Sequence, residues 1–137
     1  MTAIRVTHEE NCCYRVAVGR HVLTVDQPED AGGDDLGPTA VQLFAASLVA
    51  CTAHYAGSYL ARHSLSSEGM VVEGEYVMAD RPARLGSMSV TITPPVDLPE
   101  HRKAGLLAVA SHCTLHNTLR ESMHVEVAFA DAPIPTT

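Results

Sequence analysis

Apolar and polar residues alternate in three short runs near the start of the chain, which is the pattern of half-buried strands. The runs cover residues 4–7, 13–18 and 21–25, and Gly19-Arg20 lies between the last two, where a tight turn is required. This pattern predicts a strand followed by a hairpin, which together form an N-terminal unit over residues 4–25.

A stretch without any Asp, Glu, Lys or Arg covers residues 36–61. It favours a long central helix that is wrapped by sheet, and we predict this helix at residues 38–63. Pro38 suits the first turn of the helix, and Thr39 lies near its start. The stretch is also long enough to span a membrane. Its polar residues favour the central helix instead: Gln42, Ser47, Thr52, His54, Gly57 and Ser58.

The segment before this helix, residues 27–37, combines turn-forming residues with the acids Glu29, Asp30, Asp34 and Asp35. The acids lack the ligand spacing of a calcium loop, and no lysine follows the glycines as in a phosphate-binding loop. We therefore predict a solvated loop.

The second half of the chain also mixes strand and helix patterns. Residues 70–79 and 87–93 are predicted to pair through a turn, with Met88, Val90 and Ile92 on one face. The remaining predicted elements are a helix at 100–111, a short helix at 114–121, a strand at 124–130 and a loose tail at 131–137. This order predicts one α+β domain over residues 1–137, with mostly antiparallel strands.

Composition limits the classes of function. With 137 residues, of which 46% are hydrophobic, the chain is long and apolar enough for one core. A net charge of −7 and the absence of a basic stripe exclude nucleic acid as an expected partner. The N-terminus lacks the pattern of a secretory signal, so the four cysteines point to reduced thiols in the cytoplasm.

Two cysteines have polar neighbours at helical spacing. Cys51 shares a helix face with Ser47 and His54, and Cys113 is followed at the same spacing of three residues by His116. Hydrogen bonds or positive charge beside a sulfur favour the thiolate, which is the form that attacks peroxides and electrophiles. We therefore treat Cys51 and Cys113 as candidate catalytic residues, with Ser47, His54 and His116 as candidate binding residues.

Other interpretations of these residues stay open. Buried free cysteine is common, so Cys51 can be an inert part of the core. The two Cys-x-x-His pairs also match a Cys2His2 zinc set, although such pairs inside regular helices are less usual than pairs on turns. Cys12 and Cys13 are neighbours on a predicted strand, where they point to opposite faces and cannot serve one site.

Both candidate cysteines lie in motifs that resemble those of a known family, the OsmC/Ohr proteins of osmotic induction and organic hydroperoxide resistance. Residues 112–119 resemble the second cysteine motif of the family, which is usually Cys-Pro-Val-His. The first cysteine motif of the family is similar to residues 32–53 of this chain, Gly-Gly-Asp-Asp-Leu-Gly-Pro-Thr-Ala-Val-Gln-Leu-Phe-Ala-Ala-Ser-Leu-Val-Ala-Cys-Thr-Ala. The resemblance covers residues 11–129. It implies an OsmC-like α+β fold, with sheets around a long central helix and two chains intertwined as a homodimer.

The resemblance also implies a thiol peroxidase that reduces organic hydroperoxides. Cys51 would attack the peroxide, Cys113 would resolve the product as a disulfide, and an external dithiol would reduce that disulfide without any bound cofactor or metal. The family uses an N-terminal arginine to polarise the thiolate. Arg15 is the nearest candidate, and Arg20 is the alternative.

The chain departs from the family pattern at two positions. Peroxidases of the family carry Glu ten residues before the first cysteine, where this chain has Val41, and Thr114 replaces the proline of the second motif. We therefore expect a slow peroxidase. The alternative is a non-catalytic dimer that binds an apolar or electrophilic small molecule, with no membrane partner in either case.

Overall fold

The computed structural model of this chain describes residues 2–131, which form the predicted α+β structure. Its strands are β1 (Ile4–Glu10), β2 (Cys13–Val18), β3 (His21–Val25), β4 (Val71–Ala79) and β5 (Arg84–Thr93). Its α-helices are α1 (Ala40–Arg62), α2 (Lys103–Ala110) and α3 (Thr114–Arg120), and short 3-10 helices cover Glu29–Ala31 and Glu100–Arg102. Of the predicted tail, residues 132–137 lie outside the described residues.

The chain divides into two compact units. The first contains the residues up to Ala50 together with Val71–Thr93, and the second contains Cys51–Met70 together with the described residues from Pro94 onward. Helix α1 is continuous across the boundary, so the first unit holds its beginning and the second holds its end. The prediction of a single domain is not tested by this division and stays a prediction.

The first unit is built on two antiparallel sheets. Strands β1, β2 and β3 form one sheet in chain order, and β4 pairs with β5 in the other. The two strands of the N-terminal hairpin have the predicted bounds, because alternating residues flank a turn at Gly19, whose φ of 59° suits glycine. Alternate residues of β5 are half-buried, which confirms the shared face of Met88, Val90 and Ile92.

Helix α1 begins at Ala40, two residues later than predicted, because Thr39 and Gln42 cap it reciprocally. The Gln42 N–H donates to Thr39 Oγ1 at 3.1 Å, and the Thr39 N–H donates to Gln42 Oε1 at 3.0 Å. This is a capping box in which glutamine takes the usual place of glutamate. Pro38 therefore lies before the cap rather than in the first turn.

Among the described helices, α1 is the one long and apolar enough to cross a membrane by length and composition, with a mean hydropathy of 1.2 over its most apolar window. Ala45, Leu48, Ala56 and Leu60 on this helix are buried in the protein, whereas Val41 and Phe44 are exposed by 38% and 49%. The helix is therefore less enclosed in the single chain than the sequence led us to expect.

The acidic loop at residues 27–37 is solvated as predicted, since all four of its acids are exposed. A buried carboxylate just before the loop holds its ends. Asp26 Oδ1 accepts the Gln27 N–H at 2.7 Å, and Oδ2 accepts the N–H groups of Leu36 at 3.1 Å and Asp34 at 3.3 Å. A Cβ on Gly33 would lie 2.6 Å from the Gln27 carbonyl carbon, so only glycine fits there. The loop is thus exposed to solvent, and its backbone is fixed at both ends by Asp26.

Asp26→Asn should lower the melting temperature at pH 7 by about 5–10 °C, because one of the two acceptor oxygens becomes a donor. Burial raises the pKa of Asp26, but the three backbone N–H groups outweigh it and hold that pKa below its ordinary value. The stabilisation is therefore fully present above the unfolded-state pKa of about 4 and is lost as pH falls through the lower folded-state pKa.

Thermal melts of the wild type and of Asp26→Asn from pH 7 downward check this prediction, and the gap between their melting temperatures should shrink in acid. Asp30→Asn, an exposed acid of the same loop, is the matched control and should melt like the wild type. A constant gap at every pH would contradict the assigned ionised carboxylate.

The second unit packs the end of α1 with α2 and α3. Ala56, Leu60, Leu106 and Ala110 are buried, and Tyr59 lies over Gly105, where a Cβ would come 3.0 Å from Tyr59 Cζ. The predicted helix at 100–111 begins as a 3-10 turn and becomes α-helical from Lys103, and the helix predicted at 114–121 is confirmed as α3.

The strand predicted at residues 124–130 is wrong for the described single chain. These residues have no regular structure, and Val125, Val127 and Phe129 are exposed by 66%, 85% and 83%. A strand needs a neighbour for its backbone groups, and none of the described strand pairings includes this segment. Alternation in the sequence reports the tendency to extend and carries no information about the partner strand.

Candidate functional site

The first candidate cysteine, Cys51, is a free, half-buried thiol in the middle of α1. Of its predicted neighbours, Ser47 donates its hydroxyl proton to the Phe44 carbonyl at 2.6 Å, which is a common use of serine inside helices. His54 is exposed, and its ring meets the Tyr55 ring edge-on, with centroids 5.9 Å apart. The predicted binding roles of Ser47 and His54 thus stay predictions.

The second candidate cysteine, Cys113, is fully buried and caps the N-terminus of α3. Its Sγ accepts the His116 N–H at 3.4 Å, and His116 Nδ1 lies 3.9 Å from the same sulfur. The structure therefore brings Cys113 and His116 together at the spacing noted in the sequence, while their catalytic and binding roles stay predictions.

The turn that carries Cys113, residues 111–114, is fixed by bonds to the helices on either side. His112 Nδ1 lies 2.7 Å from the Ala108 carbonyl oxygen of α2. On the other side, Asn117 Nδ2 donates to the His112 carbonyl at 3.4 Å and Arg120 donates to the Ser111 carbonyl at 3.1 Å. The turn and α3 are thus joined as one local structure.

A side-chain contact that the sequence pattern does not predict links the segments that carry the two candidate cysteines. The Tyr55 hydroxyl lies 2.5 Å from Thr114 Oγ1, and either group can donate. Tyr55 is one helical turn beyond Cys51 on the same face of α1, and Thr114 directly follows Cys113. The offset of four residues places Tyr55 on the helix face of Cys51, and this could have been predicted from the sequence. No spacing rule identifies Thr114 as its partner.

The candidate arginines lie in the first unit, whereas both candidate cysteines lie in the second. Arg15 is exposed on β2, where it pairs with Thr7 of β1 and Thr24 of β3. Arg20 is exposed in the turn after β2. The choice between Arg15 and Arg20 as the partner of a thiolate stays a prediction.

The other two cysteines lie away from the predicted cysteine motifs, around the start of β2. Cys12 lies in the turn before β2, not on the strand as expected, and its Sγ is 3.7 Å from the Gly32 carbonyl oxygen. Burial raises the pKa of the Cys13 thiol, and the carboxylates of Asp26 and Glu9 raise it further. Cys13 is therefore held in the unreactive protonated form.

The metal alternative gains no support from the part of the chain that the structure describes. Within it, no group of three or more His, Cys, Asp or Glu side chains is placed to hold a metal ion. Cys113 and His116 approach each other, but a zinc site needs further ligands beside them.

The sequence model described as OsmC-like protein matches residues 32–128, which include both cysteine motifs. The chain belongs to the OsmC-like protein family. Comparison of this OsmC-like protein with curated protein sequences gives no match.

Solved structures share the fold of this OsmC-like protein at low sequence identity. A Psychrobacter arcticus protein assigned to osmotic stress induction and detoxification response is 22% identical, with a TM-score of 0.79 over 86% of this chain and 88% of that one. An organic hydroperoxide resistance protein OsmC from Legionella pneumophila is 22% identical, with a TM-score of 0.68 over 88% of this chain and 89% of that one. The organic hydroperoxide resistance protein OhrB of Bacillus subtilis is 19% identical, with a TM-score of 0.62 over 88% of this chain and 92% of that one. These likenesses establish the OsmC-like fold.

Proposed function

We propose that this OsmC-like protein reduces organic hydroperoxides with Cys51 as the attacking thiolate and Cys113 as the resolving cysteine. The observation that carries the proposal is the Tyr55–Thr114 contact, since it ties the turn bearing Cys113 to the face of α1 that bears Cys51. The hydroperoxide resistance named for the Legionella and Bacillus structures supports the same reaction class.

The proposed reaction has three balanced steps. The Cys51 thiolate attacks one peroxide oxygen; an S–O bond forms, the O–O bond breaks, and the alkoxide leaves and takes a proton to become an alcohol. The Cys113 thiolate then attacks the Cys51 sulfur, so that an S–S bond forms and hydroxide leaves as water. An external dithiol reduces this disulfide and becomes a disulfide itself, with no bound cofactor.

Peroxide consumption tests this proposal directly. Purified protein with dithiothreitol should consume tert-butyl hydroperoxide over many turnovers, at a rate proportional to protein concentration. Folded protein that leaves the peroxide concentration at the level of a protein-free control would contradict the proposal and favour the non-catalytic alternative.

A specific feature supports that alternative, the binding of an apolar or electrophilic small molecule. The first unit contains an open groove of about 560 Å³ with an almost wholly apolar wall. Its lining comes from the sheet and from the first turns of α1, namely Val6, Tyr14, Val16, Val25, Ala40, Leu43, Phe44 and Ser47. An apolar groove suits the organic part of a ligand in either function.

The proposed working form is a cytoplasmic homodimer. Apolar side chains on α1 and in residues 123–129 are exposed in the single chain, among them Phe44, Val127 and Phe129. A second copy of the chain would cover them. Sedimentation equilibrium at micromolar concentration should give twice the chain mass of 14.6 kDa, and a monomer at this concentration would contradict the dimer.

A further inference from the structure

We propose that Tyr55 is a positioning residue for disulfide formation, because its bond to Thr114 holds the Cys113 turn beside the Cys51 face of α1. The inference deepens the proposed peroxidase function and rests on it. It concerns the second step of the reaction, in which the two cysteine sulfurs must meet.

The geometry of α1 places Tyr55 well for this role. A helix rises 1.5 Å per residue, so the Cα atoms of Cys51 and Tyr55 are about 6 Å apart along the axis. Tyr55 is half-buried, and its hydroxyl approaches Thr114 Oγ1 to 2.5 Å, at the short end of the range for hydroxyl pairs. The Tyr55 side chain thus extends from the helical turn that follows Cys51 to Thr114, the residue that follows Cys113.

A restraint on Thr114 is also a restraint on Cys113. The two residues share a peptide bond, and both belong to the start of α3, where the Asn117 N–H donates to the Cys113 carbonyl at 3.0 Å. Thr118 Oγ1 donates to the Thr114 carbonyl at 2.9 Å, which fixes Thr114 to the following helical turn. The Tyr55 hydroxyl therefore contacts a segment whose backbone is hydrogen-bonded to the first turn of α3, and a restraint on Thr114 is transmitted to Cys113.

Disulfide formation depends strongly on such restraints. The Cα atoms of bonded cysteines usually lie 4.4–6.8 Å apart, so small displacements of one segment remove the reactive geometry. Holding two reacting groups near this geometry raises their effective concentration and hence the rate. The restraint is expected to affect the attack of Cys113 on oxidised Cys51 and not the earlier attack of Cys51 on peroxide.

Stopped reactions with a thiol oxidant test the inference without requiring peroxidase activity. The reduced full-length protein is treated with diamide, quenched with acid at set times and analysed by mass spectrometry for the Cys51–Cys113 disulfide. Tyr55→Phe and Thr114→Val each remove one hydroxyl and keep the side-chain size, and each should slow the link about 3- to 10-fold.

Matched variants separate positioning from a general loss of structure. Thr114→Ser keeps the hydroxyl and should restore a rate close to that of the wild type. Tyr59→Phe removes the hydroxyl one turn further along α1, which donates to the Arg102 carbonyl at 3.4 Å, and should leave the rate of linkage unchanged. The double variant Tyr55→Phe with Thr114→Val should be no slower than either single variant.

The outcomes distinguish the inference from the proposed function. Slower linkage in both single variants, with rescue by serine, supports the inference even if tert-butyl hydroperoxide leaves Cys51 unmodified, which would overturn only the peroxidase function. Equal rates in wild type and both variants would overturn the inference, whatever the peroxidase activity. Failure of diamide to link Cys51 to Cys113 in the wild type would also overturn it.

Discussion

Cys51→Ser should abolish the consumption of organic hydroperoxide, because a serine hydroxyl cannot take over the attack of a thiolate on the peroxide oxygen. Cys113→Ser should behave differently. It keeps the first step, so in the absence of any external dithiol a single equivalent of hydroperoxide per chain should be consumed and a sulfenic acid should accumulate on Cys51. Peroxide assays and trapping of the sulfenic acid with dimedone measure both effects.

The matched control for these variants is Cys12→Ser. Cys12 is a free, half-buried thiol in the turn before β2, so its loss should leave hydroperoxide consumption at the wild-type rate. Equal loss of activity in Cys12→Ser and Cys51→Ser would contradict the assignment of Cys51 as the attacking residue.

Val41→Glu should raise the rate of hydroperoxide reduction by up to about 10²–10³-fold, which is the usual effect of one well-placed electrostatic partner in an active site. The resemblance implies that a glutamate at this position orients the arginine beside the thiolate. Val41 is 38% exposed in the first turn of α1, so the new carboxylate reaches water and costs little to introduce. The comparison of kcat/KM for both proteins measures the effect.

Val41→Gln is the control for this prediction, since it has the size of glutamate without its charge. We expect it to react at the wild-type rate. An equal gain from glutamine and glutamate would contradict the electrostatic explanation. A wild type already as fast as a relative with glutamate at this position would show that another group in this chain does the work.

The parts of the fold that sequence could predict are those governed by local pattern. The hairpin of β2 and β3 was predicted with its observed bounds, because alternating residues and a glycine turn decide both strands within a few residues. The start of α1 lies two residues later than predicted, since the reciprocal cap of Thr39 and Gln42 sets this boundary and Pro38 precedes it. The Thr-x-x-Gln spacing of a capping box is local information that is sufficient to place this boundary.

The parts that sequence could not predict depend on contacts between distant residues. The alternation of residues 124–130 suggested a strand, but pairing requires a partner edge that no local pattern reveals. No sequence pattern singles out Asp26, although three N–H groups from three separate residues converge on it. The bond between Tyr55 and Thr114 joins residues 59 apart in the chain.

The most direct test of the central claim is to map the first oxidised cysteine. Reduced protein is mixed with less than one equivalent of tert-butyl hydroperoxide, quenched at increasing times and analysed by mass spectrometry. Sulfenic acid should appear on Cys51 first and give way to a Cys51–Cys113 disulfide, while Cys13, whose pKa is raised by burial and nearby carboxylates, stays reduced. Oxidation that appears first on Cys12 or Cys13, with Cys51 unmodified, would contradict the account.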